Sequence, residues 1–290
     1  MIIAGTQRDK AQALLSLHTR GELLVLPNIW DPIGARILED RGYPAIATAS
    51  AAIAESLGFA DGENLRLETM LDVLWRISKA VNVPVTADIE AGYSDSVDEL
   101  KESILKVMET GVVGVNIEDS LVEGGPMRPM AEQCERISII RDVAAIYGLH
   151  IVINARVDSF LSSSFSSPQE KTEDAILRAK AYVGAGADCI YPIGPGDRET
   201  LSLLRECIKA PLNVLASPRA LGLVDLHKLG INRVSFGPQI FRSCLAKLIG
   251  IVDEIRGFGK YECFSAHSLS GTDVRKFLIL GKEPKRQSSQ

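Results

Sequence analysis

Short runs dense in β-branched and other apolar residues alternate along the chain with longer stretches whose apolar side chains recur every three or four positions. The short runs predict buried strands, and the longer stretches predict amphipathic helices. The strand-like runs are ELLVLPNIWD, AIATASAA, VPVTADIE, VVGVNIEDS, HIVINARVDS, ADCIYPIG, PLNVLAS and INRVSFG. Helix-like stretches such as PIGARILEDRG, NLRLETMLDVLWRISKAV and PQIFRSCLAKLIGIVDEIRGFG follow them in turn. The strand runs are near-continuously apolar, as expected where both faces of a parallel sheet are covered. Eight strand–helix units predict an α/β fold, a (β/α)8 barrel of the TIM type. A doubly wound open sheet shares the alternation, but no GxGxxG follows the first run. Gly111, Gly148, Gly186 and Gly230 stand where helix C-caps belong. The periodicity fades after Gly259, which predicts a barrel over 1–259 and a tail over 260–290 with one apolar segment, VRKFLIL.

With 290 residues and 46% hydrophobic content, the chain can bury one large core. Its net charge of −5 argues against a nucleic-acid or anionic-membrane partner, and KEPKR near the C-terminus reads as solvated tail. The N-terminal stretch turns polar too soon for a signal peptide, and no apolar run is long enough to cross a bilayer. The five cysteines are scattered without CxxC spacing, so reduced thiols and a cytoplasmic location are expected. The four histidines form no HExxH motif, and no GxSxG is present.

Candidate chemistry gathers where the strand runs end, the face of such a barrel on which active sites form. Asp88 and Glu90 close one run, Glu118 and Asp119 the next, and Arg156 and Asp158 the one after. Crowded carboxylates raise one another's pKa and cost stability. A bound dication removes that cost, and oxygen ligands with room for water suit Mg²⁺ or Mn²⁺ better than Zn²⁺. Ion pairing of Asp88 and Glu90 with Arg156 or another Arg, merely closing the barrel end, is the competing reading. Other features read more plainly. Ser159–Pro168 is a Ser-rich loop or flap, and IGPGD is a turn capped by Asp197. Trp75 and Tyr182 read as core, and His150 as structural.

The motifs TASAAIAESLGFADG, ADIEAGY, GVNIEDS and INARVDSF follow one another on successive units. In that order they resemble the isocitrate lyase/phosphoenolpyruvate mutase superfamily, from about Leu26 to about Gly259. The resemblance implies a (β/α)8 barrel whose last helix is exchanged between subunits, a homodimer or homotetramer, and a small 2-oxo acid bound with Mg²⁺. It assigns Asp88, Glu90 and Glu118 to the metal site, with Glu90 where an Asp is usual. It assigns Trp30, Ser50, Ala51 and Arg156 to the substrate, and Asp61, Glu118 and Arg156 to catalysis. One departure stands out. Carbon–carbon lyases of the superfamily carry a Cys-Gly-His lid, and here the matching region reads LVEGGPMRPMAEQCERI. Cys134 lies further on in a helix pattern and reads as a packed thiol. The Gly124–Pro126 bend is a candidate gate, with Arg128 offering a charge to the substrate. The expected activity is a Mg²⁺-dependent lyase that cleaves or decarboxylates a 2-oxo or 2-hydroxy carboxylate. Phosphonopyruvate hydrolase or mutase chemistry, and a non-catalytic 2-oxo acid binder, are the alternatives.

Overall fold

Pro27 splits the first strand run in two, because a proline has no N–H to give to a ladder. The computed structural model describes residues 5–121, 124–257, 264 and 268–278. Its strands are β1 (Leu24–Leu26), β2 (Asn28–Ile29), β3 (Ile46–Thr48), β4 (Val85–Asp88), β5 (Gly114–Glu118), β6 (Val152–Val157), β7 (Cys189–Pro192), β8 (Asn213–Leu215) and β9 (Arg233–Ser235). The helices are α1 (Gln7–Thr19), α2 (Pro32–Asp40), α3 (Ser50–Ser56), α4 (Leu67–Ala80), α5 (Val97–Glu109), α6 (Met130–Tyr147), α7 (Pro168–Gly184), α8 (Arg198–Cys207), α9 (Leu223–Lys228), α10 (Gln239–Arg256) and α11 (Gly271–Arg275).

Every strand pairing is parallel. One sheet runs β2-β3-β4-β5-β6-β7 and the other β1-β9-β8. The two meet where β1 leads into β2 and where a parallel bridge joins Ile190 of β7 to Leu212 ahead of β8. This is the strand order of a (β/α)8 barrel. Helix ends follow the local signals. Ser96 and Ser167 close capping boxes at the starts of α5 and α7. Asp197 caps α8 by accepting from the Thr200 N–H. Gly148 ends α6 in the left-handed conformation, φ 80°.

Two elements differ from the sequence expectation. The run AIATASAA is strand only over Ile46–Thr48, and its Ala-rich remainder opens α3. A short apolar run does not separate strand from buried helix by period alone, and alanine favours the helix. The N-terminal stretch, read only for the absence of a signal, forms α1. Thr6 and Asp9 cap it reciprocally, and Ala11, Leu14, Leu17 and His18 are buried. Leu14 packs so closely on the start of β5 that a Cβ at Gly114 would come within 2.7 Å of its methyl. The helix therefore covers the N-terminal end of the strands, opposite the end where the acids lie.

The chain divides into two units, Met1–Cys244 and Leu245–Gln290. The first holds the sheets and the main core. In the described part of the second, Leu245, Leu248, Ile249, Val252 and Ile255 are exposed along α10. Most of the expected tail, 260–290, lies outside the described residues. Among the described residues no helix is long and apolar enough to cross a membrane.

His18 is a buried base within this core. Its Nδ1 donates to the Leu14 carbonyl at 2.8 Å. Burial first, then the nearby Arg233 charge, push its pKa down to about 4 from 6.5. A base lowered in this way contributes stability that is present above its unfolded pKa and lost as pH falls toward the folded value. His18→Gln removes that dependence. In urea titrations the stability gap between wild type and variant is expected to shrink by about 2 kcal/mol from pH 7.5 to pH 4.5. A gap that does not change with pH contradicts the assignment.

Candidate active site

The strand ends aim the predicted acids at one mouth. Asp88 is the last residue of β4 and Glu118 the last of β5. Parallel register sets Asp88 beside Asn116, and Glu118 beside Arg156 of β6. Asp61, Asp88, Glu90, Glu118 and Arg156 line a single cleft of about 630 Å³, together with Ser50 and Ala51.

Because α3 starts two residues after β3, its first residue faces β4. The Ser50 hydroxyl and N–H both donate to Asp88 Oδ2, at 3.0 and 3.3 Å. Thr48 Oγ1 accepts from the Asp88 N–H at 3.0 Å. One carboxylate oxygen of Asp88 is thereby held, and Oδ1 has no hydrogen-bond partner among the described residues.

Arg156 lies between two acids. Its Nη1 meets Glu118 Oε2 at 2.5 Å, and its Nε and Nη2 form a fork on Asp158 at 2.8 and 2.7 Å. A second layer fixes this arrangement. The Asp158 N–H donates to Asp119 Oδ1 at 2.9 Å. Asp119 Oδ2 accepts from the Tyr182 hydroxyl at 2.6 Å and from Arg178 at 3.1 Å. Burial pushes the Glu118 carboxyl above the ordinary carboxylate range, against the pull of Arg156. Burial opposes the charge on Arg156, but Glu118 and Asp158 outweigh it and hold the guanidinium above its ordinary pKa. Arg156 thus pairs with Glu118 and Asp158, whereas the acids for which an arginine partner is the competing reading go elsewhere, Asp88 to Ser50 and Glu90 to Tyr93 and Glu63.

Glu90 follows a different course. Its backbone is left-handed, φ 53°. Its Oε1 accepts from the Tyr93 hydroxyl at 2.8 Å and its Oε2 from the Glu63 N–H. Burial first, then the charge of Asp61, push its pKa up to about 7.

Trp30 is not among the residues lining the cleft. It stacks edge-on against Phe241, ring centroids 4.9 Å apart, beside Ala49 and Ala52. Arg128 is not among them either, and its Nη1 pairs with Glu132 at 2.6 Å. The Gly124–Pro126 bend is tied down where Ser162 Oγ donates to the Gly125 carbonyl at 3.0 Å. Residues 122 and 123 lie outside the described residues. Cys134 is half-buried against the core, and His150 bonds Asp188 at 2.8 Å.

Sequence reasoning passed over several residues of the cleft, among them Asn28, Asn116, Ser235, Gln239 and Arg242. For Asn116 a signal existed, a polar residue in the middle of a buried strand run. Its Oδ1 accepts from Asn154 at 2.8 Å and from Arg233 at 3.3 Å, forming a polar floor. Asn28 Oδ1 accepts from the Phe236 and Gly237 N–H groups and so ties the end of β9 to β2.

A family profile for phosphoenolpyruvate phosphomutase matches residues 14–256. The chain belongs to this family. Among its family relatives is an uncharacterized protein of Mycobacterium tuberculosis (strain ATCC 25618 / H37Rv), 31% identical over 76% of this chain and 80% of the relative. An oxaloacetate decarboxylase of Paraburkholderia xenovorans (strain LB400) is 29% identical over 84% of this chain and 80% of its own. A protein of Burkholderia cenocepacia J2315, solved as a candidate lyase/mutase, matches with a TM-score of 0.85 at 32% identity, over 93% of this chain and 96% of that one. The 2,3-dimethylmalate lyase structure, a member of the PEP mutase/isocitrate lyase superfamily, matches with a TM-score of 0.80 at 20% identity, over 92% and 94% of the two chains. At that identity the likeness is one of fold.

The donor set is compatible with a hard cation. Among the described residues no three His, Cys, Asp or Glu side chains converge to enclose an ion. A hard cation at the oxygen of Asp88 that no described residue engages would therefore meet few protein ligands. Asp88→Asn is expected to weaken Mn²⁺ binding at least about tenfold, read by electron paramagnetic resonance, and to leave the melting temperature nearly unchanged. Unchanged Mn²⁺ affinity contradicts the role given to Asp88.

Proposed function

We propose that this protein is a divalent-metal-dependent lyase that decarboxylates a small 2-oxo dicarboxylic acid of the oxaloacetate type. The observation that carries the reading is the cleft itself. It holds a carboxylate with one unengaged oxygen, Asp88, and a buried guanidinium, Arg156, on neighbouring parts of one sheet. The similarity to oxaloacetate decarboxylases supports the choice of substrate.

Asp88 would hold the metal, Mg²⁺ or Mn²⁺, with Glu118 and Glu90 reaching it through water. When bound, the dication supplies a Lewis acid for the ketone of a 2-oxo acid. Arg156 has five N–H donors and spends three on Glu118 and Asp158, which leaves two for the substrate carboxylate. At the start of α3 the Ala51 N–H adds a donor for the same carboxylate, beside Ser50, whose own N–H goes to Asp88. Asp61 and Glu90 put negative charge in the cleft, which favours departure of the second carboxylate as neutral CO₂. The carbon left behind must then take a proton, and Asp61 is proposed to hold the water that delivers it. No lid cysteine is needed, because CO₂ leaves without a proton.

Decarboxylation also accommodates the missing Cys-Gly-His motif. An assembly of two or four copies is proposed as well, with exchange of the last helix. The exposed stripe of Leu245, Leu248, Ile249, Val252 and Ile255 supports it. The scattered free cysteines support a cytoplasmic, reducing location.

With Mg²⁺ and oxaloacetate, purified protein is expected to release pyruvate at least about 100-fold faster than Mg²⁺ alone. Pyruvate together with inorganic phosphate from phosphonopyruvate, and none from oxaloacetate, contradicts this reading and favours phosphorus–carbon chemistry.

A further inference from the structure

Among the described residues, three non-glycine residues have positive φ: Glu63 at 59°, Glu90 at 53° and Tyr93 at 54°. A left-handed backbone is unfavourable for an ordinary residue, and such strain persists only where surrounding contacts over-determine it. The three strained residues are bonded to one another. The Glu63 N–H and the Tyr93 hydroxyl donate to the two oxygens of Glu90. The Tyr93 N–H donates in turn to Glu63 Oε1 at 2.6 Å. The acceptor in each bond is a carboxylate, which strengthens it.

The bonds join the loop after α3 to the loop after β4. The loop after β4 is pinned from below. Arg136, buried on α6, donates to the Ala91 carbonyl at 2.5 Å and to Ser94 Oγ at 3.0 Å. Ser103 Oγ donates to the Tyr93 carbonyl at 3.3 Å. Gly92 lies against Leu100 so closely that a Cβ would come within 2.8 Å of its methyl. The loop after α3 carries Asp61, and Glu63 bonds it to the loop after β4 through both its N–H and its carboxylate.

We infer that Glu63, Glu90 and Tyr93 form a clamp that fastens the Asp61 loop to the fixed loop after β4, and that Glu63 and Tyr93 are positioning residues for Asp61. The catalytic half of this inference rests on the lyase reading above, and the clamp itself does not. Tyr93 is not among the cleft-lining residues, so a Tyr93→Phe change reaches the cleft through Glu90.

Two measurements test the inference. Hydrogen exchange of the peptide spanning 59–65 is expected to quicken at least about tenfold in Tyr93→Phe and in Glu63→Gly, while peptides from β4 to β6 keep their wild-type rates. Glu63→Gly also relieves the left-handed strain, so its melting temperature should stay within about 2 °C of wild type. With oxaloacetate and Mg²⁺, kcat should fall at least about tenfold in both variants, while KM and the Mn²⁺ dissociation constant stay within about threefold. Glu63→Gln keeps the acceptor for Tyr93 and should recover most of kcat. Exchange that stays at the wild-type rate in both variants overturns the clamp. Faster exchange with unchanged kcat overturns the positioning role. If wild type does not turn over oxaloacetate, the lyase reading falls and the positioning role with it, and the exchange result still decides the clamp.

Discussion

The bridge from Arg156 to Glu118 is the interaction on which the mouth depends. Burying a carboxylate is costly unless a positive partner and hydrogen bonds offset the lost hydration. Glu118 has both, from Arg156 and from Ser120 at 2.6 Å. Arg156 is in turn oriented by Asp158, and Asp158 by the buried Asp119–Tyr182–Arg178 group. The fork therefore has a fixed orientation before any ligand arrives. Fixed donors need little reorganisation when charge develops on a substrate, which is the main source of catalytic advantage in such sites.

The remaining acids are managed separately. Ser50 takes one oxygen of Asp88, and the Glu63–Tyr93 pair takes both oxygens of Glu90. Carboxylates that would repel one another if left loose are thus divided among different donors. Asp88 keeps one oxygen that no described residue engages, and on the proposed reading a dication binds there. The same division of labour accommodates a glutamate where the motif that ADIEAGY resembles has an aspartate. The longer side chain reaches the Tyr93 hydroxyl and the neighbouring loop.

Much of this was legible in the sequence, and the reason is local. Strand and helix periods mark the eight units, and turn and cap residues such as Ser96, Asp197 and Gly148 act over three or four positions. The strand-end acids follow from the fold class, because the barrel brings all C-terminal strand ends to one face. What was not legible depends on pairs far apart in the chain or on backbone conformation. The left-handed backbone at Glu63, Glu90 and Tyr93 has no compositional mark, since these residue types usually avoid it. The boundary between β3 and α3 is hidden in an alanine-rich run that serves either state. Trp30 was assigned to the cleft by motif, but the position of Phe241, more than two hundred residues later, draws it to an apolar cluster instead. Arg242 went unnoticed because its partner, Glu55, is also far away in sequence.

The central claim is that the acid-rich cleft accepts a dication at Asp88 and an oxo-acid carboxylate at Arg156. A crystal structure with Mn²⁺ and oxalate, phased at the manganese edge, tests it most directly. The account predicts an anomalous peak against the unengaged oxygen of Asp88, with oxalate lying between that ion and the Arg156 guanidinium. An ion bound elsewhere, or oxalate held at Arg242 with the Arg156–Glu118 pair undisturbed and no metal beside Asp88, would contradict it.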